Sequence, residues 1–416
     1  MKKMLCLLLC ALLVLTFTAC KSTTETAVSD IETGTTTTVS KEKEQDVSED
    51  EKEDETGTTD TAGTTKTQKT KKTRKTTVAR TTTPTVKYTL PNDGSRVTAT
   101  MLTLAQEKKI RFLGRTYTYA GQDSRRMVFG NTGFQLEGTL SGHVTMKVDV
   151  EKNCCAINIT VDGKTRTEWV NKGTSTVILA DDLAKGNHTI TVTKGTAHHA
   201  GELTVETVSF AGVLKTPAAQ NLQIEFIGDS VTVGEGMYGK ESDFPSLAQT
   251  YNTYDGYAAK VARNLGAGVS TIAACGSKVP GMKNSFLEYG WDFTNNHKDI
   301  VVINMGTNDL GWSHISLSSV ESALRPDCTA LIKAVREKYG KDTYIVWAYG
   351  MMFDKDKAFF KDVTEQYAKN NNDERVLFCD LSAAKDNAGN ASHPSVKGND
   401  KAAEILTQFL KDNCGV

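Results

Sequence analysis

The sequence lacks an excess of charge of either sign: 49 lysine and arginine residues nearly balance 50 aspartate and glutamate residues, and the formal net charge is -1 over 416 residues. A chain with so little net charge has no overall field that would draw it to nucleic acid or to an anionic membrane. The sequence also lacks the HExxH and paired CxxC spacings of metal sites. We therefore expect no nucleic-acid partner, no metal and no other cofactor.

Cysteine is scarce and irregularly spaced. Of nine cysteines, two lie in the first 17 residues, Cys20 follows, and six more are scattered between residues 154 and 414. The adjacent Cys154 and Cys155 would strain to bridge each other, and the spacing provides no disulfide framework. We interpret most of the six as buried small hydrophobic side chains.

The apolar run over residues 4–17 is too short to span a membrane comfortably. It follows a short positively charged start and precedes small residues and then Cys20, which is the order of a secretory signal. The cysteine after small residues resembles a bacterial lipobox, in which Cys20 would carry the lipid; an ordinary cleaved signal is the alternative. We expect residues 1–20 to be a lipoprotein signal peptide, so that the protein is lipid-anchored on the extracellular face of the cell membrane, or secreted. The lipid anchor is the only membrane contact that we expect.

Residues 21–86 have no aromatic side chains and few large aliphatic ones. Threonine dominates, and an acidic block over residues 41–55 precedes a basic block over residues 66–75. Such a segment cannot bury enough apolar surface to offset its ordering entropy, so we predict a disordered linker that acts as a stalk. Binding of a wall polymer by the charged blocks is the alternative to a plain solvated spacer.

Residues 87–214 alternate between apolar and polar side chains in short stretches, as over residues 145–150, 156–161 and 203–210. The second of these ends at Asp162-Gly163, a hairpin-turn signal. Several short strands with alternating faces predict a β-sandwich.

Residues 215–416 alternate predicted strands with predicted helices, which is typical of an α/β domain built from βαβ units. The run over residues 300–305 is almost continuously apolar, as in a parallel strand that is covered on both faces. An amphipathic helix is predicted near the end of the chain, over residues 401–412. Ligands bind beyond the carboxyl ends of the strands in such a sheet.

Four short segments of this second region carry groups suited to acyl transfer. Gly-Asp-Ser over residues 228–230 directly follows a predicted strand and presents Ser230 at the edge of the sheet. Gly276 follows a short apolar segment, Asn308 follows the buried strand, and His393 lies in a loop before the last helix. Acyl transfer needs a nucleophile, a base and donors for the oxyanion, and these segments can supply all three.

These segments resemble the SGNH hydrolases, or GDSL-like esterases: Gly-Asp-Ser, Gly276, Gly-Thr-Asn-Asp over residues 306–309, and His393-Pro394. Together with the preceding β domain, Gly114-Arg115 and the run over residues 228–234 resemble carbohydrate esterase family 2. That family joins a jelly-roll domain to an SGNH domain and deacetylates plant polysaccharides such as xylan and mannan.

The resemblance implies a three-layer α/β/α SGNH hydrolase domain over residues 215–416, preceded by a jelly-roll β-sandwich over residues 87–214. It also implies that Ser230 is the nucleophile and His393 the general base. The Ser230 backbone N–H, the Gly276 N–H and the Asn308 side-chain amide would bind the oxyanion.

One position departs from the common SGNH pattern, because Asn390 stands three residues before His393 where many members have aspartate. Asparagine cannot stabilise the imidazolium by charge. The family includes Ser-His dyads whose histidine bonds a main-chain carbonyl, so we expect a dyad in which Asn390 or a nearby carbonyl orients His393.

Aromatic residues near these segments are candidates for stacking on a sugar ring. Trp312 lies four residues after Asn308, and Tyr238 and Trp291 are weaker candidates. A loop tryptophan belongs to the local core about as often as it binds a ligand.

The sequence therefore predicts a serine esterase that removes acetyl groups from a polysaccharide or oligosaccharide of the plant cell wall. Acetylated peptidoglycan or another wall polymer is the alternative substrate. A carbohydrate-binding surface lipoprotein without catalysis is an alternative of another class, which would bind glycans without turnover. The β domain would either bind glycan or only support the cleft.

Overall fold

The structure is a computed structural model that describes residues 100–104, 108–118, 123–287, 291–311 and 314–416. The predicted signal peptide with Cys20, the predicted linker over residues 21–86 and the candidate sugar platform Trp312 lie outside the described residues. Within the described segments, no helix combines the length and the apolar character that a membrane span requires.

The first domain consists of antiparallel β-strands. Its described residues form β1 (Thr100–Thr103), β2 (Arg111–Leu113), β3 (Thr116–Tyr117), β4 (Arg125–Met127), β5 (Gly133–Val161), β6 (Lys164–Lys194) and β7 (Leu203–Lys215). The long strands β5 and β6 form a hairpin at Asp162 and Gly163, whose φ angles are 49° and 81°. Two successive positive φ angles are the requirement of a type I′ turn, which the Asp-Gly pair satisfies.

Hydrogen bonds join these strands into a single sheet that curls on itself. Residues 190–193 of β6 pair with residues 133–136 on one side and with residues 158–161 on the other. The strand β7 pairs with β5 twice, once near residue 139 and again near residue 147. The predicted jelly-roll of two packed sheets is therefore not confirmed, since the described strands form one nearly closed, barrel-like sheet.

The alternating sequence pattern identifies which side chains face inward, but not how the strands close. The inward-facing apolar side chains, among them Phe134, Val148, Ile157 and Val205, form one core inside the curved sheet. Register shifts along β5 and β6 mark the points at which the long strands bend. Because bulges rather than chain breaks turn the corners, the predicted strands over residues 145–150 and 156–161 are parts of the single long strand β5.

The second domain has a parallel five-stranded sheet in the order β12-β11-β10-β8-β9. Its strands are β8 (Gln223–Gly228), β9 (Gly268–Ala273), β10 (Ile300–Asn304), β11 (Tyr344–Tyr349) and β12 (Val376–Asp380). Its helices are α1 (Ser230–Val233), α2 (Tyr257–Asn264), α3 (Val279–Leu287), α4 (Leu317–Tyr339), α5 (Lys357–Asn371) and α6 (Val396–Cys414).

Helices cover both faces of this sheet, which gives three layers. Along β10, Val301 and Ile303 pack with α3, α4 and α5, whereas Ile300 and Val302 pack with α2 and α6. All five residues of β10 are buried, as expected for a parallel strand covered on both faces. The last helix begins earlier than predicted, because Ser395 caps it by accepting a hydrogen bond from the Lys397 N–H at 3.2 Å.

A buried arginine joins the two domains. Gly114, with φ at 64°, turns the chain after β2 and places Arg115 inside the α/β domain. The guanidinium donates from Nε and Nη2 to the two carboxylate oxygens of Glu225, each at 2.9 Å, and from Nη1 to the Phe286 carbonyl at 2.8 Å. Trp291 also lies over this guanidinium, at 5.4 Å from the ring centroid. Trp291 thus belongs to the domain junction.

A second contact between the domains lies at the end of β6. The fully buried Lys194 donates from Nζ to three main-chain carbonyls, those of Val128, Thr196 and Ala197, at 2.8–3.0 Å. Burial lowers the pKa of Lys194 to about 8. The main chain next to it bonds the α/β domain, since the Thr253 N–H donates to the Gly195 carbonyl at 2.8 Å.

Candidate active site

Ser230 lies at the carboxyl edge of the parallel sheet, directly after β8, as the first residue of α1. The side chain of Asp229 caps this turn by accepting a hydrogen bond from the Val231 N–H at 2.9 Å. Gly234 ends the turn with φ at 80°, and its N–H donates to the Ser230 carbonyl at 2.9 Å. The tight turn thereby raises the Ser230 hydroxyl above the end of the strand.

His393 contacts this hydroxyl directly. Its Nε2 lies 2.8 Å from Ser230 Oγ, and its Nδ1 lies 3.0 Å from the main-chain carbonyl of Asn390. Because a carbonyl can only accept, Nδ1 carries the proton and Nε2 is left to accept the hydroxyl hydrogen. Only 5% of Ser230 and 8% of His393 are exposed, so little water competes for this contact.

The loop before His393 is held in an unusual backbone conformation. Ala391 and Ser392 have φ angles of 48° and 61°, in the left-handed region that side chains other than glycine rarely adopt. This turn directs the Asn390 carbonyl at His393, since the His393 N–H also donates to it, at 3.0 Å. Local strain of this kind is concentrated at functional sites.

The side chain of Asn390 points to a different neighbour. The side-chain Oδ1 accepts a hydrogen bond from the Glu241 N–H at 3.3 Å. The main-chain N–H of Asn390 donates to the Gly236 carbonyl at 2.8 Å. Of the two groups that the sequence leaves open for orienting His393, the main-chain carbonyl is thus the one in contact with the imidazole.

Gly276 and Asn308 occupy neighbouring turns at the same edge of the sheet. Gly276 is the third residue of a turn closed by the Ser277 N–H and the Ala274 carbonyl at 3.2 Å, and its φ is 75°. A positive φ at this place is what a type II turn requires. A Cβ at Gly276 would meet no atom within 4 Å, so the turn borders open space.

The Asn308 amide links the turns. Its Nδ2 donates to the Ser277 carbonyl at 3.0 Å and lies 3.4 Å from an Asp229 carboxyl oxygen. This edge of the sheet therefore brings together a serine hydroxyl, an oriented imidazole and amide donors.

Two family models match the chain one after the other. The carbohydrate esterase 2 N-terminal model matches residues 112–217, and the GDSL-like lipase/acylhydrolase family model matches residues 226–401. Together they match more than half of the chain. It belongs to carbohydrate esterase family 2, within the SGNH hydrolases.

Individual relatives agree with this family. The chain is 30% identical over 270 residues to the cellulase/esterase CelE of Acetivibrio thermocellus, covering 59% of this chain and 32% of CelE. It thus spans about a third of the length of that curated relative.

Solved structures of family members share the fold. A family two carbohydrate esterase from Clostridium thermocellum, in complex with cellohexaose, is 26% identical with a TM-score of 0.65, covering 74% of this chain and 99% of that one. The acetyl xylan esterase Est2A from the rumen bacterium Butyrivibrio proteoclasticus has a TM-score of 0.67 at 19% identity, covering 76% and 98%. The latter likeness shows the fold alone.

Two buried carboxyl groups lie beneath the site of this family 2 protein. Burial, and to a smaller extent the nearby Asp309 carboxylate, raise the pKa of Asp229 to about 7. Burial also raises the pKa of Asp309 to about 6. Asp309 accepts from the Val279 N–H at 3.3 Å, which places its carboxyl group beside the start of α3.

A polar contact between the domains could not be predicted from the sequence. The Tyr251 hydroxyl accepts from the Ala197 N–H at 3.0 Å and lies 3.4 Å from His199 Nε2. Burial, and then the Glu235 carboxylate, raise the pKa of the neighbouring Cys275 thiol. No spacing pattern in the sequence could bring His199 to Tyr251, because the contact depends on how the domains pack.

Proposed function

We propose that this protein is a serine carbohydrate esterase that removes O-acetyl groups from a polysaccharide through an acetyl-enzyme on Ser230. The observation that carries the proposal is the contact of 2.8 Å between His393 Nε2 and Ser230 Oγ, with Nδ1 held by the Asn390 carbonyl. A hydroxyl bonded to a fixed basic nitrogen is the arrangement of an activated nucleophile.

In the first half of the reaction, Ser230 Oγ attacks the acetyl carbonyl carbon while its proton passes to His393 Nε2. The Ser230 and Gly276 N–H groups and the Asn308 amide stabilise the oxyanion. Loss of one such donor typically lowers the rate by about a hundredfold or more. The bond from the acetyl carbon to the sugar oxygen then breaks, and His393 returns the proton to that oxygen.

In the second half, water attacks the acetyl-enzyme and gives a proton to His393. The bond to Ser230 Oγ breaks, the serine regains its proton, and acetate leaves. The Asn390 carbonyl keeps the imidazole in the required tautomer through both halves, although it supplies less charge stabilisation than a carboxylate would.

The substrate that we propose is acetylated plant polysaccharide such as xylan or mannan. One family member carries the name acetyl xylan esterase, and another was solved in complex with cellohexaose, a β-linked glucose oligomer. Acetylated peptidoglycan remains the alternative substrate. We further propose that a lipid on Cys20 holds the protein at the outer face of the membrane, so that the chain meets polymeric substrate outside the cell.

The test is acetate release from acetylated xylan and acetylated glucomannan by the parent protein, Ser230→Ala and Ser319→Ala. Ser319 is an exposed serine of α4 and serves as the matched control. We expect release by the parent and by Ser319→Ala, and a loss of at least a thousandfold in Ser230→Ala because the nucleophile is gone. Binding of the glycans without acetate release by the parent would instead support the non-catalytic alternative.

A further inference from the structure

The leaving alcohol of the proposed reaction must lie on the histidine side of the site. His393 gives its proton to the sugar oxygen when the ester bond breaks, so that oxygen has to come within hydrogen-bond reach of Nε2. The donors Gly276 and Asn308 stabilise the oxyanion formed from the carbonyl oxygen instead. The sugar ring attached to the leaving oxygen is therefore next to the elements that pack against the His393 loop.

One segment, residues 236–241, packs along this loop through three hydrogen bonds. The Asn390 N–H donates to the Gly236 carbonyl at 2.8 Å, the Val396 N–H to the Met237 carbonyl at 3.3 Å, and the Glu241 N–H to Asn390 Oδ1 at 3.3 Å. Asn390 thus holds His393 with its carbonyl and this segment with its other polar groups. The segment and the catalytic loop form one connected unit.

Tyr238 projects from the middle of this segment with 36% of its surface exposed. Among the described residues, it shares with Trp169 the largest exposed fraction of any aromatic side chain. Its hydroxyl donates to Asp255 Oδ2 at 2.5 Å, and its N–H donates to the Thr250 carbonyl at 2.9 Å. Asp255 comes just before α2, and helices that follow strands of a parallel sheet begin at its carboxyl edge, where ligands bind.

We propose that Tyr238 is the stacking platform for the sugar ring on the alcohol side of the scissile ester. This inference rests on the proposed esterase function and assigns a residue that favours sugar esters over other acetate esters. An aromatic ring offers a large apolar face to the C–H face of a pyranose. Because Asp255 fixes the hydroxyl, the ring loses little further freedom when a sugar binds, which favours binding.

The test compares an acetylated xylo-oligosaccharide with triacetin, an acetate ester that has no ring. Tyr238→Ala removes the platform, Tyr238→Phe keeps the ring without its bond to Asp255, and Trp169→Ala removes an equally exposed aromatic from β6. We expect Tyr238→Ala to reduce kcat/KM on the xylo-oligosaccharide by about tenfold, mainly through KM. The loss on triacetin should be smaller by fivefold or more.

The two other variants complete the comparison. Tyr238→Phe should retain at least a third of the parent kcat/KM on the xylo-oligosaccharide, and Trp169→Ala should match the parent on both esters. Equal losses of Tyr238→Ala on both esters, no loss on the sugar ester, or the same selective loss in Trp169→Ala would each overturn the proposal. The melting temperature of each variant checks that it is folded.

Failure of the esterase reaction itself gives a different result. If the parent releases no acetate from either ester, the proposed function fails, and the platform is then judged from cellohexaose binding measured by calorimetry. Tyr238→Ala should weaken that binding by about tenfold relative to both the parent and Trp169→Ala, whereas equal affinities in all three proteins would reject the platform.

Discussion

Glu225 and Asp229 lie four residues apart, one within β8 and one just beyond its end, and both are fully buried, yet their pKa values shift in opposite directions. Burial alone would raise the pKa of Glu225, but the ion pair with Arg115 outweighs this effect, and the pKa lies below its usual value. Among the described residues, no cation forms an ion pair with Asp229, and burial raises its pKa to about 7. The partner, and not the depth of burial, decides the charge of each carboxyl group.

The two carboxyl groups therefore have different roles: Glu225 is structural, and Asp229 belongs to the candidate active site. The ionised Glu225 fixes the β domain onto the α/β domain through Arg115. Asp229, whose pKa is raised, caps the turn of Ser230 and lies beside Asn308. Protonation of this group would lessen the negative charge next to the point where the oxyanion would develop.

Removing the cation should have the largest effect on stability. In Arg115→Met, the Glu225 carboxylate remains buried without its partner, and we expect the free energy of unfolding to fall by about 3–5 kcal/mol. Urea unfolding at pH 7 measures this change. Replacing Lys333, an exposed residue of α4, by methionine is the control and should leave the midpoint unchanged.

A second substitution, Glu225→Gln, tests whether the unpaired charge causes the loss of stability in Arg115→Met. The hydroxyls of Ser270 and Tyr339 donate to the two carboxylate oxygens of Glu225, Oε1 and Oε2, each at 2.8 Å. Adding Glu225→Gln to Arg115→Met removes the charge and keeps an acceptor oxygen for one of these two hydroxyls. The double variant should therefore recover part of the lost stability. A double variant that is less stable than Arg115→Met would contradict this explanation and indicate that lost packing dominates.

Neutralising the other carboxyl group should change the pH dependence of stability. The folded state favours protonated Asp229, so its contribution is fully present below the unfolded pKa of 3.8 and is lost as pH rises through about 7. Asp229→Asn has no such proton, and its free energy of unfolding should fall less between pH 4 and 7, by on the order of 2–4 kcal/mol.

Urea unfolding at several pH values gives both profiles. Asp243→Asn, at an exposed carboxylate, is the matched control and should follow the parent. Asp309, whose pKa is also raised, remains in all three proteins and contributes a slope of the same sign to each. Parallel profiles for the parent and Asp229→Asn would show that Asp229 is already ionised in the folded protein.

The sequence could predict the parts of this arrangement that depend on local order along the chain. Ser230 follows an apolar strand and His393 precedes an amphipathic helix, and both features are visible as patterns of residues. The pairing of Arg115 with Glu225 is not visible, because the two residues lie 110 positions apart in the chain and strand periodicity does not specify which distant side chain fills a buried face. The closure of the β domain into one sheet is hidden for the same reason, since alternation marks an inner face but not the bends.

Introducing a new carboxyl group into the catalytic loop, at Asn390, should have the smallest effect. In Asn390→Asp, the new side chain keeps an acceptor for the Glu241 N–H, while the main-chain carbonyl still holds His393 Nδ1. We therefore expect kcat/KM for an acetyl ester to stay within about tenfold of the parent. Asn390→Ala removes only the side-chain acceptor and separates the effect of charge from the loss of that bond. Complete loss of activity in Asn390→Asp, or a gain above a hundredfold, would mean that the side chain at this position orients the imidazole, as the aspartate of a triad does.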